Sequence, residues 1–474
     1  MATIQKIVDT VNTYLSDYIL LILLVGMGIF FSIKTKFVQV RCFGEGMRAV
    51  FGNDSRKKGK GISKFQALAT AIAAQVGTGN IVGACGAILI GGPGAIFWMW
   101  VIAFFGMSTI YAEAVLAQKT KTVDEDGTVH GGPVYYIKMA FKGNFGKILA
   151  GFFAVAIILA LGFMGAMVQS NSIGSTMEAA IGVPAWVMGL IVAAIVGVIL
   201  LGGVKRIAQV SEKLVPIMAI LYLLGGLVVL AINITGVPEA ILLIFKNAFA
   251  PDAALGGIFG ALFAAITQGA KRGLFSNEAG MGSTPHAHAL ADVKDPHEQG
   301  VTAMIGVFID TFIVLTMTAL VVITVLYTRD GALADFVNTG DITLGGVALD
   351  KTTMAQEAFA QSFGNPIIGN IFVAICLFFF AFSTILGWNY FGKVNVEYLF
   401  GKKAVPVYTV LALVFIVLGS FLGNDLVWGL TDLFNQLMVI PNAIALFALA
   451  GMVTSCARAH KRGGDLGLKD DRQK

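Results

Sequence analysis

Apolar residues in this chain come in long runs, many about 20 residues or more, separated by short polar segments. A run of that length, wound as a helix at 1.5 Å per residue, matches the hydrocarbon thickness of a bilayer. The pattern predicts eleven spans, at residues 16–34, 64–90, 94–118, 147–177, 184–203, 210–233, 254–282, 300–327, 366–392, 406–422 and 431–454. Residues 133–139, amphipathic and aromatic, read as a helix lying in the membrane interface. Residues 238–249 read as a short helix over the outer surface.

Composition agrees. Of 474 residues 57% are apolar and 13% charged, with a mean hydropathy of +0.81; soluble domains carry roughly twice that share of charge. The fold class is therefore an all-α polytopic membrane protein. Basic residues set its orientation. Lys34, Lys36, Arg41, Arg48, Arg56, Lys57, Lys58, Lys60 and Lys64 crowd the first loop against Glu45 and Asp54, which fixes that loop in the cytoplasm and the N-terminus outside. Eleven crossings then leave Arg458, Lys461 and Arg462 of the tail in the cytoplasm. The acidic loop carrying Asp330, Asp335, Asp341, Asp350 and Glu357 falls outside. Basic residues scattered through loops give no nucleic-acid footprint. Cys42, Cys85, Cys376 and Cys456 lie far apart with no CxxC spacing, so free thiols are expected. The first residues lack the basic start and cleavage site of a signal peptide.

Two spans are irregular. In the second, Gly77, Thr78, Gly79 and Asn80 interrupt an apolar helix with poor helix formers. Inside a membrane such loosened backbone is tolerated only in a protein interior or along a cavity. It exposes the N–H groups of the following half-helix to an anion and the last carbonyls of the preceding one to a cation. The alternative is glycine serving close helix packing. In the seventh span Thr267, Gln268 and Gly269 suggest a matching break. With the first span set aside, ten remain, and each set of five opens on an interrupted helix, in opposite directions across the membrane. Interrupted helices at corresponding places of inverted halves point to a site at the bilayer midplane. The expected segments are an N-terminal helix and basic loop (1–63), a first five-helix repeat (64–234), an external connection (235–253), a second repeat (254–454) with an external loop at 328–365, and a tail (455–474).

The stretches GTGNIVG at 77–83, GGPGAIFWMW at 91–100, GVKRIA at 203–208 and KRGLFSNEAGMGSTPHAHA at 271–289 together resemble the alanine or glycine:cation symporter family, over essentially the whole chain. The resemblance implies a leucine-transporter-like core of five-plus-five inverted repeats preceded by one extra helix, working by alternating access. It implies sodium as the coupling ion, no other cofactor, and alanine or glycine as cargo, taken up through the plasma membrane. It also implies that the amides of Thr78 and Gly79 receive the substrate carboxylate. Ser383 and Thr384, with a carbonyl near Phe380 and carbonyls near Ala73 and Val76, would hold sodium; the alternative is that each hydroxyl satisfies itself on the preceding turn.

Other candidates rest on residue chemistry. Gln75 and Asn80 flank the break as ligands of sodium or substrate, or as ties between helices. Gln75 stands where many relatives of the broader fold carry a small residue, a departure at the place of a first sodium site. Gln169 must face the bundle, since an unpaired amide in hydrocarbon costs several kcal/mol, either on substrate or on another helix. Thr267, Gln268 and Gly269 would offer carbonyls to the substrate ammonium. Phe275 either closes the pocket or packs the core; Gly162, Gly165 and Ala166 suit a small substrate or close packing. Glu113, Glu212 and Glu278 are expected to pair with basic residues as an inner gate. Asp310, within span eight, is the first suspect for proton coupling. His286, His288 and His297 sit near one another without a Cys, a weak metal pattern. An intramembrane enzyme is disfavoured by the lack of GxSxG, HExxH or paired aspartates, and a channel by two broken helices meeting at midplane. The orientation predicts that a cysteine introduced between Asp330 and Asp350 labels from outside in intact cells, whereas one between Asp54 and Lys60 does not; the reverse pattern overturns it.

Overall fold

The computed structural model describes residues 2–52, 63–125, 128–249, 257–328, 331–334, 342–344 and 347–461. Among them, eight helices are long and apolar enough to cross a membrane, or nine when one bent pair counts as a single span. In chain order these and their neighbours are α1 (Gln5–Lys34), α2 (Phe43–Phe51), the bent pair α3 (Lys64–Gln75) and α4 (Gly79–Gly91), α5 (Gly94–Thr120), α6 (Pro133–Ala140), α7 (Gly143–Ile181), α8 (Ala185–Leu200), α9 (Gly203–Ile232), α10 (Val237–Phe249), α11 (Gly257–Asn277), α12 (Pro285–Ala289), α13 (Pro296–Leu326), α14 (Met354–Phe363), α15 (Pro366–Phe400), α16 (Lys402–Gly419), α17 (Asn424–Ala448) and α18 (Ala450–Lys461). Two small antiparallel hairpins, Thr122–Val123 with Val129–His130 and Ile342–Leu344 with Val347–Leu349, sit in loops. All four cysteines are buried free thiols.

Local chemistry starts and stops these helices. Ser63 and Gln66 form a reciprocal capping box at the start of α3. Asn365 accepts from the amides of Ile367 and Ile368 ahead of α15, whose first residue is Pro366, and Asp295 caps α13 in the same manner. α3 and α4 meet at 49°, and residues 76–77 between them are not helical. The core runs continuously through the bundle, with Ala73, Val76, Met99, Ile305, Phe380 and Trp388 all buried.

Several expected boundaries shift, for one reason. Counting apolar residues stops at a polar one, but a helix continues wherever that residue finds a partner inside. α17 starts at Asn424, not 431, and takes in Asp425, which pairs with Lys351. It ends at Ala448, and α18 follows as a separate helix. α15 runs on to Phe400, past 392. The expected break at 267–269 is absent: α11 is continuous to Asn277, and the non-helical stretch lies beyond it at 278–284. One face of helix α6, with Pro133, Val134, Tyr136 and Ile137, packs into protein, while Lys138 and Met139 are exposed. Arg56, Lys57, Lys58, Lys60, Asp330, Asp335 and Asp341 lie outside the described residues.

Candidate functional site

The two breaks lie against each other. Gly79 approaches α11 so closely that a Cβ there would stand 2.9 Å from the Ser276 Cα and 3.1 Å from the Phe275 ring. Gln75, last residue of α3, donates its amide to the carbonyl of Asn277, last residue of α11, at 2.7 Å. Helix ends leave carbonyls and amides without intrahelical partners, and side chains meet them here. Asn80 turns its carbonyl oxygen onto the Gly77 N–H at 3.0 Å and donates its amide to Asp310 at 2.7 Å. Gln169, on α7, accepts from the Thr78 N–H at 3.2 Å.

That last bond changes the expected role of Thr78, whose amide already has a partner. Nearby donors do not. The Thr78 Oγ1 and Gln169 Nε2 atoms are buried without a hydrogen-bond partner. Leaving such groups unpaired costs about 1–3 kcal/mol each, and an acceptor-only group such as a carboxylate would satisfy both. Gly165 supports the floor of this region, since a Cβ there would stand 2.5 Å from the Trp388 ring.

Behind the break, five oxygens converge. Ser383 donates to the carbonyls of Phe380 at 2.8 Å and Ala73 at 3.2 Å. Thr384 reaches the carbonyls of Ala73 at 3.0 Å, Phe380 at 3.1 Å and Val76 at 3.4 Å. Two hydroxyls and three carbonyls, all buried, are the all-oxygen donor set a hard cation takes. The self-satisfied arrangement is present as well, because the Phe380 carbonyl serves both hydroxyls. Asp310 heads a second polar cluster: besides Asn80 it accepts from Ser276 and Thr311, each at 2.9 Å.

Thr267, Gln268 and Gly269 are not part of this assembly of broken ends. Thr267 bonds back to the carbonyls of Phe263 and Ala264, as a residue within a helix does, and Gly269 packs on Trp98 and Ala95 of α5. The second break is held instead by Glu113 of α5, which accepts from the amides of Gly280 at 2.9 Å and Gly282 at 2.8 Å and from Asn442 at 2.7 Å. Glu278, in the left-handed conformation at φ 57°, accepts from Ser283 and Trp388. Glu212 accepts from Gln66 at 2.9 Å. Glu113 and Glu278 thus take backbone, amide, hydroxyl and indole donors in place of the expected basic partners. His286, His288 and His297 are also dispersed, onto Ser283 with Asn395, onto Gln299, and onto Tyr111. The sequence reading missed Glu113 as a backbone cap, along with Asn442 and Trp388; the only available signal was that buried polar residues need partners.

Phe275 links this site to an open cleft of about 830 Å³. Its ring lies 5.7 Å from Trp388 on one side and 4.8 Å from Trp428 on the other. Trp428 in turn lies under Arg272, at 4.9 Å, and Lys351, at 5.2 Å. Arg272 makes a bidentate pair with Asp432 at 3.0 and 3.2 Å. Arg272, Lys351, Trp428 and Asp432 line the cleft.

The model of the sodium:alanine symporter family matches residues 1–473. The chain belongs to that family. Among relatives of this symporter, the sodium/alanine symporter AgcS of Methanococcus maripaludis is 40% identical over 456 residues, 96% of each chain. The probable sodium/glutamine symporter GlnT of Bacillus subtilis is 39% identical over 460 residues, 97% of this chain and 91% of its own. The crystal structure of MhsT in complex with L-phenylalanine superposes with a TM-score of 0.57 at 15% identity, covering 87% of this chain and 94% of that one. The fold is therefore of the leucine-transporter type, and the chain is a multi-pass amino-acid symporter.

The capping of the second break generates a prediction. In Glu113→Gln a new amide would face the Gly280 or Gly282 N–H, donor against donor, with about 1–3 kcal/mol lost. Thermal unfolding in detergent should show a clear fall in Tm, and an unchanged Tm would remove the capping role.

Proposed function

We propose that the protein is a sodium-coupled symporter importing a small neutral amino acid, alanine or glycine, through the plasma membrane by alternating access. The observation that carries this is the pairing of two features at one break. Five oxygens, the Ser383 and Thr384 hydroxyls among them, converge at the carbonyl end of α3, and two donors without a partner among the described residues, Thr78 Oγ1 and Gln169 Nε2, lie just beyond it. Sodium suits the oxygens, and a substrate carboxylate suits the donors. The amides of Gly79 and Thr78 complete the carboxylate site when Gln169 turns its oxygen away. Trp388, Gly165 and Phe275 pack closely here, which suits a small side chain. A relative named for sodium and alanine supports the same reading.

The working cycle follows from where the ligands sit. The Ala73 and Val76 carbonyls belong to α3 and its end, while Ser383, Thr384 and Phe380 belong to α15. An ion shared by both holds α3 against α15, and its departure frees α3 to swing. Phe275, Trp428 and the Arg272–Asp432 pair close the route from the cleft. We place eleven crossings, with the bent pair, α8 and α11 among them, as one helix plus five-plus-five inverted repeats. The N-terminus and the cleft face outside, and α18 faces the cytoplasm. Asp310 supports a second reading in which protons drive the same carrier, since its partners Asn80, Ser276 and Thr311 are neutral amide and hydroxyl groups.

Two outcomes are expected. Purified protein in liposomes should accumulate labelled alanine under an inward sodium gradient and not under a proton gradient alone. Excess glycine should compete, whereas leucine, phenylalanine and glutamine should not, since an added side chain clashes with packed rings. Accumulation driven by protons alone would favour Asp310, and competition by glutamine would enlarge the cargo class. Separately, Ser383→Ala with Thr384→Val removes two ion ligands worth about 1.5 kcal/mol or more together. Half-maximal sodium should rise at least about tenfold, with alanine binding at saturating sodium little changed. Wild-type sodium dependence in the double mutant would place the ion elsewhere.

A further inference from the structure

A second constellation lies away from both breaks, where α2 meets the start of α13. The Sγ of Cys42, a carboxylate oxygen of Glu45 and a ring nitrogen of His297 all lie within 4.8 Å of one another. Sequence spacing brings the first two together: Cys42 precedes α2 directly, and residues three apart share a helix face. Glycine brings in the third. Gly46 sits so close to α13 that a Cβ there would stand 2.7 Å from the Val301 carbonyl, and Val301 lies one turn beyond His297. His297 is fully buried, Cys42 is 5% exposed, and Glu45 is only part-buried. The His297 Nε2 is 3.5 Å from the Glu45 carboxylate, and its Nδ1 is 2.7 Å from the hydroxyl of buried Tyr111.

From this geometry we infer that Cys42, Glu45 and His297 form a binding site for a divalent transition cation of the zinc class, with a water in the fourth position. One thiolate, one carboxylate and one neutral imidazole balance the charge of a divalent ion. Sulfur and nitrogen donors select zinc or cobalt over sodium, magnesium or calcium, which take oxygen. Zinc bonds of about 2.0–2.3 Å in a tetrahedron set ligand atoms roughly 3.3–3.8 Å apart. The nitrogen–carboxylate distance already falls in that range, and part-exposed Glu45 can adjust. Tyr111 orients the imidazole: with the metal bound, its hydroxyl accepts from Nδ1–H and the Nε2 lone pair is given to the ion. On binding, the Cys42 S–H bond breaks, an S–metal bond forms and the proton leaves to solvent, so affinity rises with pH. The bound ion ties α2, which leads along the chain into α3, to α13. In the cycle proposed above this slows the movement of α3.

The test uses full-length protein in detergent, with cobalt and zinc as probes. Cobalt should give a near-ultraviolet thiolate-to-cobalt charge-transfer band at one equivalent, and zinc should displace it. Cys42→Ser should abolish the band, and Glu45→Gln should weaken binding. Tyr111→Phe should weaken it by about 10–100-fold, while Cys456→Ser should retain the band. In the unmodified protein, which needs no substitution to fold, zinc should protect Cys42 from alkylation by N-ethylmaleimide, read by mass spectrometry of its peptide. No thiolate band at excess cobalt, a band that survives in Cys42→Ser, or Cys42 alkylation indifferent to zinc would overturn the site. These readouts need no transport, so they stand whether or not sodium drives the carrier.

Discussion

A helix broken inside a membrane must satisfy its own loose ends, and much of this structure follows from that constraint. No water is at hand in the hydrocarbon layer, so every freed amide and carbonyl needs a protein or ligand partner. At the first break the partners are Asn80 and Gln169; at the second they are Glu113 and Asn442. Gln75 ties one break to the other through the Asn277 carbonyl. The two kinds of partner differ. Glu113 fills its oxygens on rigid backbone amides, whereas Gln169 holds Thr78 through a flexible side chain and keeps an amide in reserve. The second break is locked, and the first is poised.

In the proposed cycle the same constraint would place a cation beside the cargo. Carbonyls released at the end of α3 point toward α15, and a helix end carries partial negative charge. Hydroxyls on α15 at consecutive positions answer the Ala73 carbonyl from two directions. A cation there would replace hydrogen bonds that the empty geometry already makes, so the cost of desolvating the ion is met by groups held in place beforehand. The aromatic rings of Trp388, Phe275 and Trp428 form a contiguous apolar path from the site to the cleft. Arg272 over Trp428, paired to Asp432, ties the end of that path to a bidentate ion pair.

The break at Gly77–Asn80 was legible because glycine, threonine and asparagine stand in a row in an apolar run, where they are poor helix formers, with close helix packing as the competing explanation. The clustering of Ala73, Val76, Phe380, Ser383 and Thr384 could not be derived from spacing, since it joins residues some three hundred positions apart; a family resemblance supplied it. The second break was misplaced because Gly269 looked like a helix breaker, whereas it serves the close approach of α5. The true break carries Glu278, Gly280 and Gly282 in conformations with positive φ. Its sequence, rich in small residues and glycine, reads equally well as an exit loop. The caps were hidden for a related reason. A carboxylate in a span suggests a basic partner, and nothing in the order of residues says that backbone amides will come to it.

Glu113 and Asp310 are both fully buried and both accept three or more hydrogen bonds, yet their environments permit different chemistry. The amides of Gly280 and Gly282 have one orientation, fixed by the chain, so Glu113 always faces donors and offers no room for a cation. Asp310 meets Ser276 and Thr311, whose hydroxyls rotate, and Asn80, whose amide can turn. Rotation would present three neutral oxygens alongside the carboxylate, a set able to take a cation in place of three donated hydrogens. Asn80 would then release the Gly77 amide as it turned, loosening the first break at the moment of occupancy. The carboxylate that can change partners, and not the one most firmly held, is therefore the group through which a second coupling ion would act on the same broken helix.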